Sequence, residues 1–495
     1  MPQAPLADRT RALVPVLVAM TLVVSAISSL GAPLLPAVAS ALGVSISAAQ
    51  WSLTSALLAG AVAAPILGRL GDGPWRREAI LGALAIVIAG GVVAGLARAL
   101  PLLIAGRAMQ GIGLGLAPIA MAAARDHLPP GRSPGVIGLL SVSAAAGVGA
   151  GYPISGLIAS ELDVFAAFLF GSVISAAAFV LAFLFVPSSR ASSHMPVDVP
   201  GAVVGSAGVI ALLLGIGQGE EWGWGSTPTL VAFGLALILL AAWVRLQLRT
   251  RVPLVELRLL SHRAVLGGDG AALLIAVALY MFLTIVTGFV QAPPENGFGF
   301  GGSTLTAGLV LVPFSVLSLL ASRLMWQLTP LIGTRAVVVV GTAVIGAGGV
   351  FFALGHTALW QAFATMGVLG VGFGFTFAAI PGLISRAVPA EEAGSAMGFY
   401  QVVRSIGFSV GSALVASVLA AHEIGRSGFA DQQGYVLAAW IGTGACVLAA
   451  LWAGLLTPAA RAEPGPPDPY VRDDAELACA GLIDAGDVRG SEVRP

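Results

Sequence analysis

A chain of 495 residues that is 57% hydrophobic and only 10% charged has too few ionic groups to cover the surface of a water-soluble protein of that size. Its 24 basic residues balance 24 acidic ones, so no basic excess points to a nucleic-acid partner. All 24 are arginine, and the lack of lysine excludes a Gly-x-x-x-x-Gly-Lys phosphate loop and any lysine Schiff base, on retinal or pyridoxal phosphate.

The apolar residues gather in runs of about 20, enough to cross a hydrocarbon core of ~30 Å. In chain order the runs lie near 12–34, 49–68, 79–97, 101–124, 134–158 and 164–186, then 199–217 and 227–247. Six more follow near 265–290, 303–325, 335–354, 358–385, 393–421 and 435–456. In lipid each is expected to be a helix, because a lone strand would leave its backbone groups unpaired. The first run follows a charged start and has no small-residue cleavage site, so it reads as an uncleaved span.

The arginines set an orientation. With a cytoplasmic N-terminus, that side holds sixteen: Arg9, Arg11, Arg69, Arg76, Arg77, Arg125, Arg132, Arg190, Arg245, Arg249, Arg251, Arg258, Arg263, Arg323, Arg335 and Arg386. The opposite side holds two, Arg98 and Arg426. This is the positive-inside bias of a plasma-membrane (inner-membrane) protein with both termini cytoplasmic, and a missed or extra span would scramble it. Glu220 and Glu221, beside Trp222 and Trp224, read as an interfacial turn in an aromatic belt.

The expected organisation is an all-α membrane protein with fourteen helices. A short N-tail (1–11) precedes an N-terminal six-helix bundle (12–186). Two inserted linker helices with a basic cytoplasmic link (187–263) come next, then a C-terminal six-helix bundle (264–456). The tail, 457–495, holds eight acids and four arginines among Pro and Gly and is expected to be disordered. Cys446 and Cys479 are too few and too far apart for a disulfide framework, and the five histidines are scattered among loops. No metal and no cofactor are expected.

The two halves repeat. Gly111, Gly113 and Gly115 match Gly370, Gly372 and Gly374 at 259 residues, as Arg76 matches Arg335. Gly138, Gly147 and Gly151 match Gly398, Gly407 and Gly411 at 260. Such repeats build secondary transporters, in which substrate is held near the midplane between halves that rock. Small residues let helix backbones approach closely and pivot with little interlocking.

The residues now resemble a known family, the major facilitator superfamily, and within it the fourteen-helix drug/proton antiporter branch, over roughly 12–456. The loop after the second span, Gly68-Arg69-Leu70-Gly71-Asp72-Gly73-Pro74-Trp75-Arg76-Arg77, is similar to the family's Gly-x-Leu-x-Asp-Arg-x-Gly-Arg-Arg. It departs at Gly73 and Trp75. The resemblance implies that Gly68, Arg69, Asp72, Arg76 and Arg77 form a latch between the bundles. Arg107-Ala108-Met109-Gln110-Gly111 resembles the family's Arg-x-x-Gln-Gly. Gly147, Gly151, Tyr152, Pro153 and Gly156 resemble the antiporter signature, with Tyr152 inserted and Leu157 in place of a glycine. The acid that the branch often carries in its first helix is missing from Ser25–Ser29.

Charges inside a membrane are functional candidates. Arg107 and Gln110 in the fourth span, Arg404 in the thirteenth and Asp269 near the cytoplasmic end of the ninth are the candidates for substrate pathway and coupling. Each has a structural alternative: the arginines could brace their bundles, and Asp269 could lie at headgroup level. Two arginines against one acid suggest a cavity that takes anionic or neutral amphipathic molecules better than multivalent cations. Asp269 is the candidate proton carrier, since burial disfavours the charged form of a carboxyl. The expected function is secondary active export of a small drug or metabolite in exchange for protons, by a monomer in the bilayer. A metabolite facilitator or uptake transporter is the alternative. Gly407-Phe408-Ser409-Val410-Gly411 fits Gly-x-Ser-x-Gly, but the motif works on a strand-to-helix turn with a nearby His. A membrane-embedded hydrolase is therefore the distant third reading, and no enzyme is expected.

Overall fold

An apolar run in hydrocarbon has to bond its backbone to itself, and in the computed structural model of the chain each run is helical. The structure describes residues 6–29, 34–44, 46–129, 132–162, 164–188, 198–251, 253–258, 262–389, 392–422 and 430–457. The N-terminal half comprises α1 (Leu6–Ser29), the short α2 (Leu35–Leu42), α3 (Ile46–Asp72), α4 (Arg76–Gly95), α5 (Leu100–Gly111), α6 (Leu116–His127), α7 (Ser133–Glu161) and α8 (Val164–Phe185). The inserted pair is α9 (Val199–Trp222) and α10 (Thr227–Arg249). The C-terminal half comprises α11 (Arg263–Gln291), α12 (Thr304–Val310), α13 (Val312–Ile332), α14 (Thr334–Leu354), α15 (Leu359–Ala387), α16 (Ala393–Ala421) and α17 (Gln432–Leu456). Thirteen spans among the described residues are long and apolar enough to cross a membrane, and α1 adds a shorter apolar stretch, Ala12–Ile27. The tail expected to be disordered lies, from 458 on, outside the described residues.

Several expected boundaries move, each for a local reason. The fourth span is broken: a 3-10 turn, Ile112–Gly115, separates α5 from α6. Its glycines let α3 come in close, because a Cβ on Gly111 would strike the Ala56 carbonyl. The tenth span breaks at Leu311, where Pro313 in the next turn has no N–H for the helix ladder. The stretch 68–77 is mostly helix rather than loop, since α3 runs on to Asp72 and leaves only Gly73–Trp75 as linker. Likewise α9 extends to Trp222, so Glu220 and Glu221 lie on a last helical turn and not in an interfacial turn.

Packing repeats as the sequence does. In the first half α1 packs on α7 and α8, and α5 lies between α3 and α4; in the second, α11 packs on α16 and α17, and α15 lies between α13 and α14. Where the halves meet, α3 lies on α16 and α7 on α13, while α6 touches α16 and α7 touches α15. With an offset near 260, each seam maps onto the other, so the halves are related by a pseudo-two-fold axis. The inserted pair packs chiefly on itself, and α9 rests against both α3 and α16. Most of α10 turns outward, with Leu230, Leu235, Leu237 and Ile238 exposed, as suits a helix that meets lipid.

Candidate functional site

The first N–H groups of any helix lack intrahelical partners and carry a partial positive charge. At the start of α16 the N-cap residue, Glu392, does not cap them with its side chain. Asp72, on the last turn of α3 in the other half, does so instead: its carboxylate accepts from Gly394 N at 2.6 Å and from Ser395 N at 2.9 Å. Arg69 holds the cap in place, 3.9 Å from Asp72 and 3.0 Å from Glu392. Backbone contact makes this possible, for a Cβ on Gly68 would strike the Gly394 carbonyl and one on Gly394 the Gly68 carbonyl. Nearby Arg125 donates from Nη2 to the Val388 carbonyl across the same face (2.7 Å).

Not all of the expected latch reaches across. Arg76 bonds within its own half, from Nη1 to Asp126 (2.7 Å) and from Nε to the Gly71 carbonyl. Arg77 donates to the Phe183 carbonyl of α8 (2.7 Å) with its guanidinium 5.2 Å from the Phe183 ring. A further chain of bonds ties the inserted pair to the same place. Asp198 caps α9 through Gly201 N and accepts from Gln247 Nε2; Gln247 Oε1 accepts from Leu254 N; the Leu254 carbonyl accepts from the Ser395 hydroxyl (2.8 Å).

Deeper between the halves, the Tyr400 hydroxyl of α16 lies 3.4 Å from the Ser141 hydroxyl of α7. The two residues are 259 apart, within one of the repeat offset for this helix pair. Nearly equivalent positions of two related halves touch only beside the axis that relates them. Tyr400 is fully buried at this seam. One turn further along α16, the Arg404 guanidinium carbon is 4.4 Å from the ring centroid of Phe377 on α15. Tyr400 and Phe408 add ring faces at 5.4 and 5.6 Å. Tyr400 interacts electrostatically with both Arg404 and Asp269. Asp269 is buried six residues beyond Arg263, the first residue of α11, rather than at the helix end.

Arg107 and Gln110 lie apart from this cluster, inside the N-terminal half. Arg107 Nη1 donates to the Ile27 carbonyl of α1 (3.1 Å) and to Gln110 Oε1 (2.9 Å), with its guanidinium 5.5 Å from the Phe168 ring of α8. Of the antiporter-signature residues, Gly147 packs against the Leu22 carbonyl and Ser25 of α1, Gly151 is buried, and Pro153 stands within α7. The side chain of Tyr152 and the surroundings of Gly156 lie outside what is described. Ser409 is within α16, with no strand-to-helix turn for a nucleophile elbow. Reading the sequence by charge passed over Ser141, Phe377, Tyr400 and Ser395, which are neutral. One signal was available: Tyr400, Arg404 and Phe408 recur at every fourth residue, one stripe of a helix.

The model of the Major Facilitator Superfamily matches residues 17–412. The chain is 26% identical over 375 residues to multidrug resistance protein Stp of Mycobacterium tuberculosis, covering 75% of this chain and 69% of that protein. It is 30% identical over 405 residues to cephamycin export protein CmcT of Amycolatopsis lactamdurans, covering 78% and 80%. Among solved structures, the human organic anion transporter MFSD10 superposes with a TM-score of 0.61 at 16% identity, over 91% of this chain and 100% of that one.

Proposed function

We propose that this chain, which belongs to the major facilitator superfamily, exports a small amphipathic molecule in exchange for protons. It is a multi-pass membrane protein and a secondary transporter for small molecules, not an enzyme. The observation that carries the mechanism is the Asp72 cap on α16: on one face the halves are joined by polar bonds that water can replace. Separation there, with Tyr400 leaving Ser141, would open the central path to that face, and closure would shut it. The arginine bias supports assigning this face to the cytoplasm, with both termini on that side of the plasma membrane. Nothing in the mechanism calls for a second copy, and we take the monomer as the working unit.

Asp269 is the proposed proton carrier. It is buried, and its Oδ1 has no hydrogen-bond partner, so its charge is available to be neutralised. The test is transport into inside-out vesicles with and without an imposed pH gradient. Wild type is expected to respond to the gradient and Asp269→Asn to lose the response, its residual counterflow at saturating substrate being independent of pH. An Asp269→Asn protein that still followed the gradient would refute the assignment. The acid-free stretch Ser25–Ser29 favours a second reading, a facilitator, and wild-type transport indifferent to the gradient would establish it.

A further inference from the structure

Arg107 and Arg404 are both buried, yet their surroundings differ. Arg107 is held by the Ile27 carbonyl and the Gln110 side-chain oxygen at 3.1 and 2.9 Å. Arg404 donates over 3.4 Å to Gln401 Oε1 and bonds the Tyr400 hydroxyl, with no backbone carbonyl bonded to it among the described residues; its Nε has no partner. It forms no ion pair among the described residues. The rings of Phe377, Tyr400 and Phe408 ease the burial of a cation but accept no hydrogen bond in its plane.

Asp269, on the neighbouring helix, is in the matching condition. It is 4% exposed, Arg404 3%, and its Oδ1 is likewise unpartnered. The register of α11 on α16 is set by glycine contacts: Gly407 rests on the Leu273 carbonyl and Gly411 on the Val277 carbonyl. Continued by one more four-residue step, this register sets Asp269 opposite Val403, the residue before Arg404. Opposite charges at one depth on adjacent helices would ordinarily bond to each other, because an unpaired buried charge is costly. No ion pair joins them among the described residues, and Tyr400 interacts electrostatically with both.

We propose that Arg404 and Asp269 form a subsite for a zwitterionic aromatic substrate, with the carboxylate on Arg404, the cationic nitrogen on Asp269 and the ring among Phe377, Tyr400 and Phe408. The inference rests on the export reading above and deepens it by naming the substrate class. Guanidinium offers a planar fork that matches a carboxylate. A dipolar ligand leaves the site neutral, whereas a lone anion or cation leaves one charge uncompensated in low dielectric. Protonating Asp269 removes the partner of the cationic nitrogen, so proton and substrate exclude each other, as exchange requires. The subsite is shut in this state, and loading needs Tyr400 and Ser141 to separate.

Rhodamine B carries both a carboxylate and a cationic amino system, its ethyl ester keeps only the cation, and fluorescein keeps only the anion. Binding of the three dyes to the full chain in lipid nanodiscs is read by fluorescence anisotropy. Rhodamine B is expected to bind roughly 10- to 100-fold more tightly than either relative, the worth of one charge-assisted hydrogen bond. Arg404→Gln should abolish its advantage over the ester, Asp269→Asn its advantage over fluorescein, and Arg404→Lys should restore part of the first. If a variant fails to fold, the wild-type ranking decides. Equal affinities, preference for the ester or for fluorescein, or no binding of any dye would overturn the subsite. The expected ranking together with transport indifferent to a pH gradient would refute proton exchange alone and leave the subsite standing.

Discussion

Truncating Asp72 to alanine should open the arginine-rich face, and the size of the effect follows from the geometry. The carboxylate accepts two backbone hydrogen bonds across the seam, at 2.6 and 2.9 Å, from Gly394 and Ser395. Loss of a helix cap costs about 0.5–2 kcal/mol, and of a hydrogen bond to a charged acceptor about 1.5–3 kcal/mol. When the halves part, water reaches both the carboxylate and the freed N–H groups, so the net penalty is below the sum of two such bonds. About 2–3 kcal/mol is expected, which favours the open form by about 30- to 140-fold. The reporter is Ala144→Cys on α7, buried in the closed state, in a background with Cys446 and Cys479 replaced by serine. Inside-out vesicles are treated with a membrane-impermeant maleimide. The labelling rate should rise by that factor until it saturates, and Asp72→Asn should fall between, since its amide oxygen can still accept one bond. An unchanged rate in Asp72→Ala would show that the cap does not hold the halves together.

Two further outcomes follow from the same seam. Gly394→Ala puts a methyl group where the Gly68 carbonyl lies, so the closed face cannot re-form. The variant should label constitutively at Ala144→Cys and transport little, while its expression and helical content stay near wild type; normal transport would refute the close-approach argument. Gln247→Ala removes the acceptor of the buried Leu254 N–H and the donor to Asp198. It should lower stability by about 1–3 kcal/mol, the cost of an unsatisfied buried group. Earlier thermal melting and faster proteolytic cutting of the link around 250–258 would report this, and an unchanged melting temperature would refute it.

The fold was legible because its causes are local in the sequence. A bilayer reduces the choice to helices, and about 20 residues of apolar chain specify one span. The glycine offsets also announced the duplication, which the packing of α7 on α13 and α3 on α16 repeats in space. Breaks within spans were harder to read. Gly370, Gly372 and Gly374 lie in an unbroken α15, whereas their counterparts Gly111, Gly113 and Gly115 flank and form a 3-10 turn. Glycine permits that tightening without demanding it, so the neighbouring helix decides.

For the candidate site, the sequence alone marked Asp269, Arg107 and Arg404 as groups that lipid would tolerate only for a reason, and the family resemblance marked Asp72. It could not say which of them are answered by partners, because partnership is made by helices that are distant along the chain. Asp72 finds its donors 322 and 323 residues away, on a helix end of the opposite half. Arg107 is held by a carbonyl of α1, while Arg404 and Asp269 are buried on adjoining helices with no ion pair between them. The spans come from how single segments partition between water and lipid, and the duplication from offsets within the sequence itself. The difference between a brace and an available charge comes from register between helices, which only tertiary packing supplies.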